Sequence, residues 1–354
     1  MEEPTNDKIH LIEEGGYGCV FYPGINCQGT KQNPNFITKI QKINNPLKNE
    51  IMISEKIRNI KGYIKYFAPI ITTCPVKLTK YNNRELHKCE KIQNVPKSQI
   101  YKYVSSKIRY LGKLNIGDYI KSHSMEDIFD THVYLLKGLN VLNQNGIIHF
   151  DIKYNNIMFD KKLKVPIIID YGLSIYKPYL TPNNYTKTFF IFMTYTYWCI
   201  DILICNYIFQ KIKYERSKTS KITKDELDMI YSTFISGIYN GETISNYLFE
   251  LEIIPKTSYA NFKQKYESYF NKYIGKPWFN LYEELIKFSS TWDNYSLSMV
   301  YLIEINNMYQ TRRTIYDQND SVYNDYLKIL ETIAFSMPDE RPTLTETIKQ
   351  MKKL

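Results

Sequence analysis

Asp151, Lys153 and Asn156 stand in a D-x-K-x-x-N pattern within Ile147-Ile148-His149-Phe150-Asp151-Ile152-Lys153-Tyr154-Asn155-Asn156. A second acid, Asp170, follows the apolar run Ile167-Ile168-Ile169 and precedes Tyr171-Gly172. Two carboxylates, an amide and a lysine in this order are the set that phosphoryl transfer asks for. One carboxylate orients the attacking hydroxyl. The amide and the other carboxylate hold Mg2+ on the phosphates, and the lysine offsets charge on the transferred group.

Such residues need elements to place them. Apolar positions at Ile128, Val133, Leu136, Leu139 and Leu142 predict a helix over 127–145, stopped by Gly146, that delivers the Asp151 loop. The run Asn35-Phe36-Ile37-Thr38-Lys39-Ile40 reads as an apolar strand with one lysine, and 48–57 reads as a helix with Ile53 and Ile57 on one face. Upstream, Ile12-Glu13-Glu14-Gly15-Gly16-Tyr17-Gly18-Cys19-Val20 is glycine-rich. Glycines let backbone N–H groups approach phosphate without an intervening Cβ.

In this order the motifs resemble those of eukaryotic-type protein kinases. The Asp151 segment is similar to the catalytic loop and Asp170-Tyr171-Gly172 to the metal-binding D-F-G element. Gly15 and Gly18 match the second and third glycines of the glycine-rich loop, Val20 matches the valine after it, and Glu13 replaces the first glycine. Lys39 matches the strand lysine that pairs with the α- and β-phosphates. Glu50 is taken as its glutamate partner, with Glu55 as the competitor, and Ser54 stands where the family buries an apolar residue. Thr194-Tyr195-Thr196-Tyr197-Trp198-Cys199-Ile200-Asp201 resembles the end of an activation segment, with Cys199-Ile200-Asp201 in place of Ala-Pro-Glu. Asp293-Asn294-Tyr295-Ser296-Leu297-Ser298 resembles the start of the long buried helix, and Arg341 the late arginine that pairs with the segment's final acid, here Asp201. The resemblance spans about residues 9–354.

What it implies is an α+β, bilobal fold with a small β-rich N-lobe (1–109), a hinge (110–113) and a large helical C-lobe (114–354) carrying an all-helical insertion at about 202–291. ATP would bind along Ile12–Val20, with its adenine between Ile12 and Val20 and its phosphates under the Gly15–Gly18 backbone and on Lys39. Asp170 and Asn156 would bind Mg2+, Asp151 would accept the acceptor's proton, and Lys153 would steady the γ-phosphoryl group. Lys153 and Thr194 point to serine/threonine acceptors on protein substrates. Phe150 replaces the arginine that in the family binds a phosphate on the activation segment, so activation is expected not to depend on that contact. Within the family, the glycine-loop wording and the Trp292-Asp293-x-Tyr295-Ser296 motif look most like kinases of large nucleocytoplasmic DNA viruses, which would place the protein in host cytoplasm or virion. Two alternatives remain: a pseudokinase acting as an ATP-binding or scaffolding module, and a small-molecule kinase of related fold such as an aminoglycoside phosphotransferase.

Composition sets the remaining bounds. With 354 residues, 44% hydrophobic and 23% charged, the chain can bury a large core. The formal charge of +10 comes mostly from lysine and forms no compact basic block, so no specific nucleic-acid surface is inferred. The six cysteines form no C-x-x-C pair, so neither zinc nor a disulfide framework is expected, and reduced thiols in a cytosol are the plain reading. The acidic N-terminus does not read as a secretory signal. Phe189–Phe209 is apolar and about as long as a membrane span, but Asp201 within it argues for a buried loop and helix instead.

Overall fold

The computed structural model describes residues 9–15, 18–25, 27, 32–76, 88–93, 102–239, 242–312 and 321–354. The chain divides into two compact units, the first made of residues 1–113 and 158–174, the second of 114–157 and 175–354.

In the first unit, β1 (His10–Glu14), β2 (Gly18–Tyr22), β5 (Phe36–Lys42), β7 (Tyr103–Arg109) and β6 (Thr72–Pro75) form an antiparallel five-stranded sheet in that order. A two-stranded ladder of β3 (Gly24–Ile25) and β4 (Gln32–Asn33) lies between β2 and β5 in sequence. Gly18 is sterically required: a Cβ there would come within 2.3 Å of the Ile40 carbonyl oxygen on β5. Helix α1 (Asn45–Arg58) begins where the Asn44 side chain accepts the Leu47 N–H and a proline occupies its first turn. Its inward stripe holds Glu50, Ile53, Ser54 and Ile57, the three-to-four spacing of an amphipathic helix. A short helix α2 (Glu90–Gln93) follows, and the sheet buries Phe21, Ile25 and Ile40 on one core and Leu47, Ile70 and Ile108 on another.

The second unit is mostly helical. It contains α3 (Ile116–Ile120), α4 (Met125–Gln144), α5 (Tyr185–Thr188), α6 (Ile200–Tyr207), α7 (Tyr214–Ser217), α8 (Lys224–Ile235), α9 (Lys256–Phe270), α10 (Trp278–Leu285), α11 (Trp292–Arg312), α12 (Ser321–Ala334) and α13 (Leu344–Met351). Three of these starts carry reciprocal capping boxes, Ser124 with Asp127, Thr223 with Glu226 and Thr343 with Glu346. Two-residue strands β8 (Ile147–Ile148) and β11 (Ile175–Tyr176) pair antiparallel. Between them in sequence come β9 (Ile157–Asp160) and β10 (Val165–Ile168), paired with each other and, from Met158 on, part of the first unit.

Two expectations need correcting. The insertion is not all helical: β12 (Ser236–Tyr239) and β13 (Glu242–Ser245) pair as an antiparallel hairpin between α8 and α9. Nor are the cysteines all reduced. Cys19–Cys89 and Cys27–Cys74 form disulfides with Cα separations of 6.1 and 5.8 Å. Disulfides form where the fold brings Cβ atoms together, whatever the sequence spacing, so the compartment drawn from free thiols loses its support. Cys199 and Cys205 are free and buried. Phe189 and Phe209 are fully buried in the second unit, and among the described residues no helix is long and apolar enough to cross a membrane.

Candidate active site

The first unit assembles one half of the expected residue set. Lys39 projects from β5 and its ammonium lies 3.2 Å from Glu50 Oε2 on α1 and 3.7 Å from Asp170 Oδ2. Glu50, not the exposed Glu55, is therefore the partner of Lys39. Burial pulls the Lys39 pKa down, but Glu50 and Asp170 together overcome it and leave the net value raised, so Lys39 is a cation. Burial lifts Glu50 above the usual carboxylate range, with Lys39 opposing. Ser54 uses its buried position differently from an apolar residue: its hydroxyl accepts the Ile70 N–H at 3.0 Å and ties α1 to the following segment.

Asp170 adopts a left-handed backbone conformation, φ 62°, which a non-glycine residue holds only when its surroundings impose it. Those surroundings are visible. The Asn49 amide on α1 donates to the carbonyls of Gly172 (3.0 Å) and Ser174 (2.8 Å). Tyr171, fully buried, donates its hydroxyl to the Ile168 carbonyl at 2.6 Å. The Asp170 side chain is left 43% exposed, open to a ligand.

Of the glycine-rich segment, Gly16 and Tyr17 lie outside the described residues. Ile12 and Val20 are half-buried, and Glu13 and Glu14 are exposed. Gly15 donates its N–H to the Gly18 carbonyl at 2.9 Å and closes the turn between β1 and β2. Cys19 is buried and committed to its disulfide, so its side chain lines no ligand site. The Cys89 side of that bridge continues into Lys91, whose ammonium donates to the Gly15 carbonyl at 2.6 Å.

The other half sits in the second unit. Lys153 Nζ and Asn156 Nδ2 each reach Asp151 Oδ2 at 2.9 Å, and Asn156 Nδ2 also donates to the Asp151 carbonyl at 2.8 Å. The loop entering Asp151 is shaped by Phe150, again left-handed at φ 69°. Asp293 fixes this turn from the start of α11: its two oxygens accept the N–H groups of His149 (2.7 Å) and Phe150 (2.8 Å). Burial raises the Asp293 pKa, while His149 and the two backbone donors oppose the shift. Trp198 Nε1 donates to the Phe150 carbonyl at 2.8 Å, and the Phe150 ring packs against Phe189, Trp198 and Trp292. Phe150 is thus a core residue and offers no group to a phosphate.

The residues of the stretch expected to resemble an activation segment divide. Asp201 and Arg341 meet as expected in a fully buried bidentate pair of 2.9 and 3.0 Å, with Trp292 Nε1 also donating to Asp201. Burial pushes the Asp201 pKa up, and Arg341 more than reverses this to leave it lowered. Thr194 turns away from Asp151: its hydroxyl donates to the Thr233 carbonyl on α8. Its neighbour Tyr195 turns toward it, with its hydroxyl 3.2 Å from Asp151 Oδ1. No sequence signal marked Tyr195, because the family pattern draws attention to Thr194. The spacing of Asp293 and Trp198 in their motifs was the available clue to their support of the loop.

No protein-family model matches the chain. Two curated proteins match over short stretches. One is a protein kinase and PP2C-like domain-containing protein of Arabidopsis thaliana, 35% identical over 72 residues, which is 20% of this chain and 10% of that protein. The other is the cell division cycle 7-related protein kinase of Homo sapiens, 31% identical over 65 residues, which is 18% of this chain and 11% of the relative. The matched stretch is about a tenth of the length of these relatives, and over it the chain is similar to protein kinases.

Proposed function

We propose that the chain is a serine/threonine protein kinase that transfers the γ-phosphoryl group of ATP to hydroxyls of protein substrates. The observation that carries this reading is the setting of Asp151. One oxygen is bound by Lys153 and Asn156, and the other already accepts a hydroxyl, the posture of a base receiving an alcohol proton. The ion-paired Lys39 supplies a fixed cation for phosphate oxygens, since its ammonium is held by Glu50 and kept charged. Lys153, beside Asp151, is placed to offset charge on the transferred group.

The oxygen donors in each unit, taken separately, are of the kind Mg2+ takes, as a hard cation. Asp170 presents an accessible carboxylate, and Asn156, whose amide nitrogen is committed to Asp151, keeps its carbonyl oxygen as a ligand. When bound, the ion would neutralise phosphate charge as the β–γ bond breaks. Asp151 takes the proton of the acceptor hydroxyl as its oxygen bonds to phosphorus, and ADP departs.

The choice of serine and threonine over tyrosine rests on Lys153, because Thr194 binds elsewhere. The resemblance to kinases of large DNA viruses is part of this proposal. A pseudokinase reading draws on Glu13 in the glycine loop and on the hydroxyl already seated at Asp151. The test is incubation with labelled ATP, Mg2+ and a generic basic protein. Label on protein, lost in folded Asp151→Asn and Asp170→Asn variants, is expected. ATP binding without transfer would make the chain a binding module, and label only in small metabolites would make it a small-molecule kinase.

A further inference from the structure

The hydroxyl at Asp151 belongs to the protein itself, and this has a functional consequence. Asp151 Oδ2 is engaged twice, by Lys153 and by Asn156. Oδ1 is the oxygen left to receive an acceptor hydroxyl, and Tyr195 holds it at 3.2 Å. The contact is braced rather than incidental. The Tyr195 ring packs edge-on against Trp198 at 5.1 Å, and Trp198 is tied to the Phe150 carbonyl, next in sequence to Asp151. A second edge-on contact, with Tyr197 at 5.5 Å, flanks it, and Ser296 Oγ on α11 donates to the Tyr197 carbonyl at 2.6 Å. With Tyr195 in place, Asp151 is only 8% exposed.

We propose that Tyr195 is a built-in pseudosubstrate: its phenol occupies the acceptor's place on the catalytic base, and a substrate hydroxyl must displace it before transfer. The proposal rests on the kinase reading above. Three features of the site bear on it. The displaced group is an ordinary side-chain hydroxyl, so the gate needs no ligand to hold it. Burial, chiefly, and Asp151 raise the Tyr195 pKa, so the phenol remains a donor across the physiological range. And the segment carrying it ends at the Asp201–Arg341 pair, which anchors its far end while Tyr195 swings away.

A competing internal hydroxyl acts on acceptor binding, not on the chemical step. Tyr195→Phe keeps the ring packing and removes the one hydrogen bond to the base. Steady-state transfer from saturating ATP to a basic serine-containing peptide should then show a KM for peptide lowered about three- to tenfold, the range expected for one net hydrogen bond, with no fall in kcat. A lowered kcat would mean that Tyr195 positions the base, and an unchanged or raised KM would mean that it does not compete; either overturns the gate while leaving the kinase reading intact. ADP affinity, measured by calorimetry on both proteins, verifies the fold. If both bind ADP and neither transfers phosphate to any acceptor, the kinase reading fails and the gate fails with it.

Discussion

At the scale of single residues, the second unit shows how a few buried polar groups hold a loop in a costly shape. Phe150 adopts a left-handed backbone that costs on the order of 1–3 kcal/mol, and the Asp293 carboxylate compensates by accepting both neighbouring N–H groups. Replacing Asp293 with Ala orphans two buried donors, so a loss of about 2–5 kcal/mol is expected, while Asp293→Asn, which keeps one acceptor oxygen, should lose less. Chemical denaturation of the three proteins checks the ranking; an alanine variant as stable as the parent would mean the loop does not need this carboxylate. Asp201 and Arg341 give a sharper case, because each is fully buried and the pair is bidentate. Arg341→Ala and Asp201→Ala should each cost about 3–5 kcal/mol, since each strands a buried charge, and the double variant should lose less than the sum. Strict additivity in that cycle would mean that the two charges are not coupled. This contact was legible in the sequence across 140 positions, because both partners sit in motifs whose order survives. The Tyr195 contact was not, because a motif names residue types and says nothing of which neighbouring side chain turns inward.

At the scale of elements, local signals worked where the physics is local. The helix that ends before the Asp151 loop was expected over 127–145 and runs from Met125 to Gln144, with Gly146 beyond it at φ 72°. The Thr223 capping box opens α8 as read. Pairing is harder to read: the strand expected over 35–40 is present as β5, but the β12–β13 hairpin was not expected. Ser236–Tyr239 and Glu242–Ser245 flank Asn240-Gly241, a dipeptide diagnostic of a tight hairpin, but helical patterns on both sides mask that signal. The disulfides were illegible in principle, since 70 and 47 residues separate the partners and only the folding of the first unit brings them together. The Cys27–Cys74 bridge closes a long loop, so Cys27→Ser with Cys74→Ser should destabilise the first unit by about 2–4 kcal/mol. A melt by far-ultraviolet circular dichroism that does not move on this double replacement would count against that contribution. The aromatic cluster around Phe150 leads to a separate expectation about activation. With the buried Phe150 in the place of a phosphate-binding arginine, phosphatase-treated protein should keep most of the transferase activity proposed above, although Thr181 and Thr186 are exposed enough to be modified. A large loss on alanine replacement of either, rescued by an acidic residue, would contradict this.

At the scale of the whole molecule, the two compact units need not unfold together, and then no single stability describes the chain. The protein provides a way to watch one of them. Its three tryptophans, Trp198, Trp278 and Trp292, all lie in the second unit and are all buried, so their fluorescence reports that unit. The same unit contains a titration that should mark its transition. His132, fully buried in α4, stacks on Tyr301 at 4.2 Å and shares a 2.9 Å hydrogen bond between Nδ1 and the Tyr326 hydroxyl. Burial lowers its pKa from 6.5 to about 3. The unfolded chain therefore takes up a proton below pH 6.5 that the folded unit refuses until near pH 3, and stability falls as pH drops through that window. Each pH unit is worth about 1.4 kcal/mol, so acidifying from pH 6.5 to 5 should cost the second unit about 2 kcal/mol by denaturant titration followed by tryptophan fluorescence. His132→Gln should be less stable near neutrality, having lost the stacked ring, but should lack this share of the acid sensitivity. Adding reductant should leave the fluorescence transition in place, because both disulfides belong to the first unit. An acid slope identical in parent and variant would show that His132 is protonated in the folded protein, and a fluorescence transition that shifts on reduction would show that the two units unfold as one.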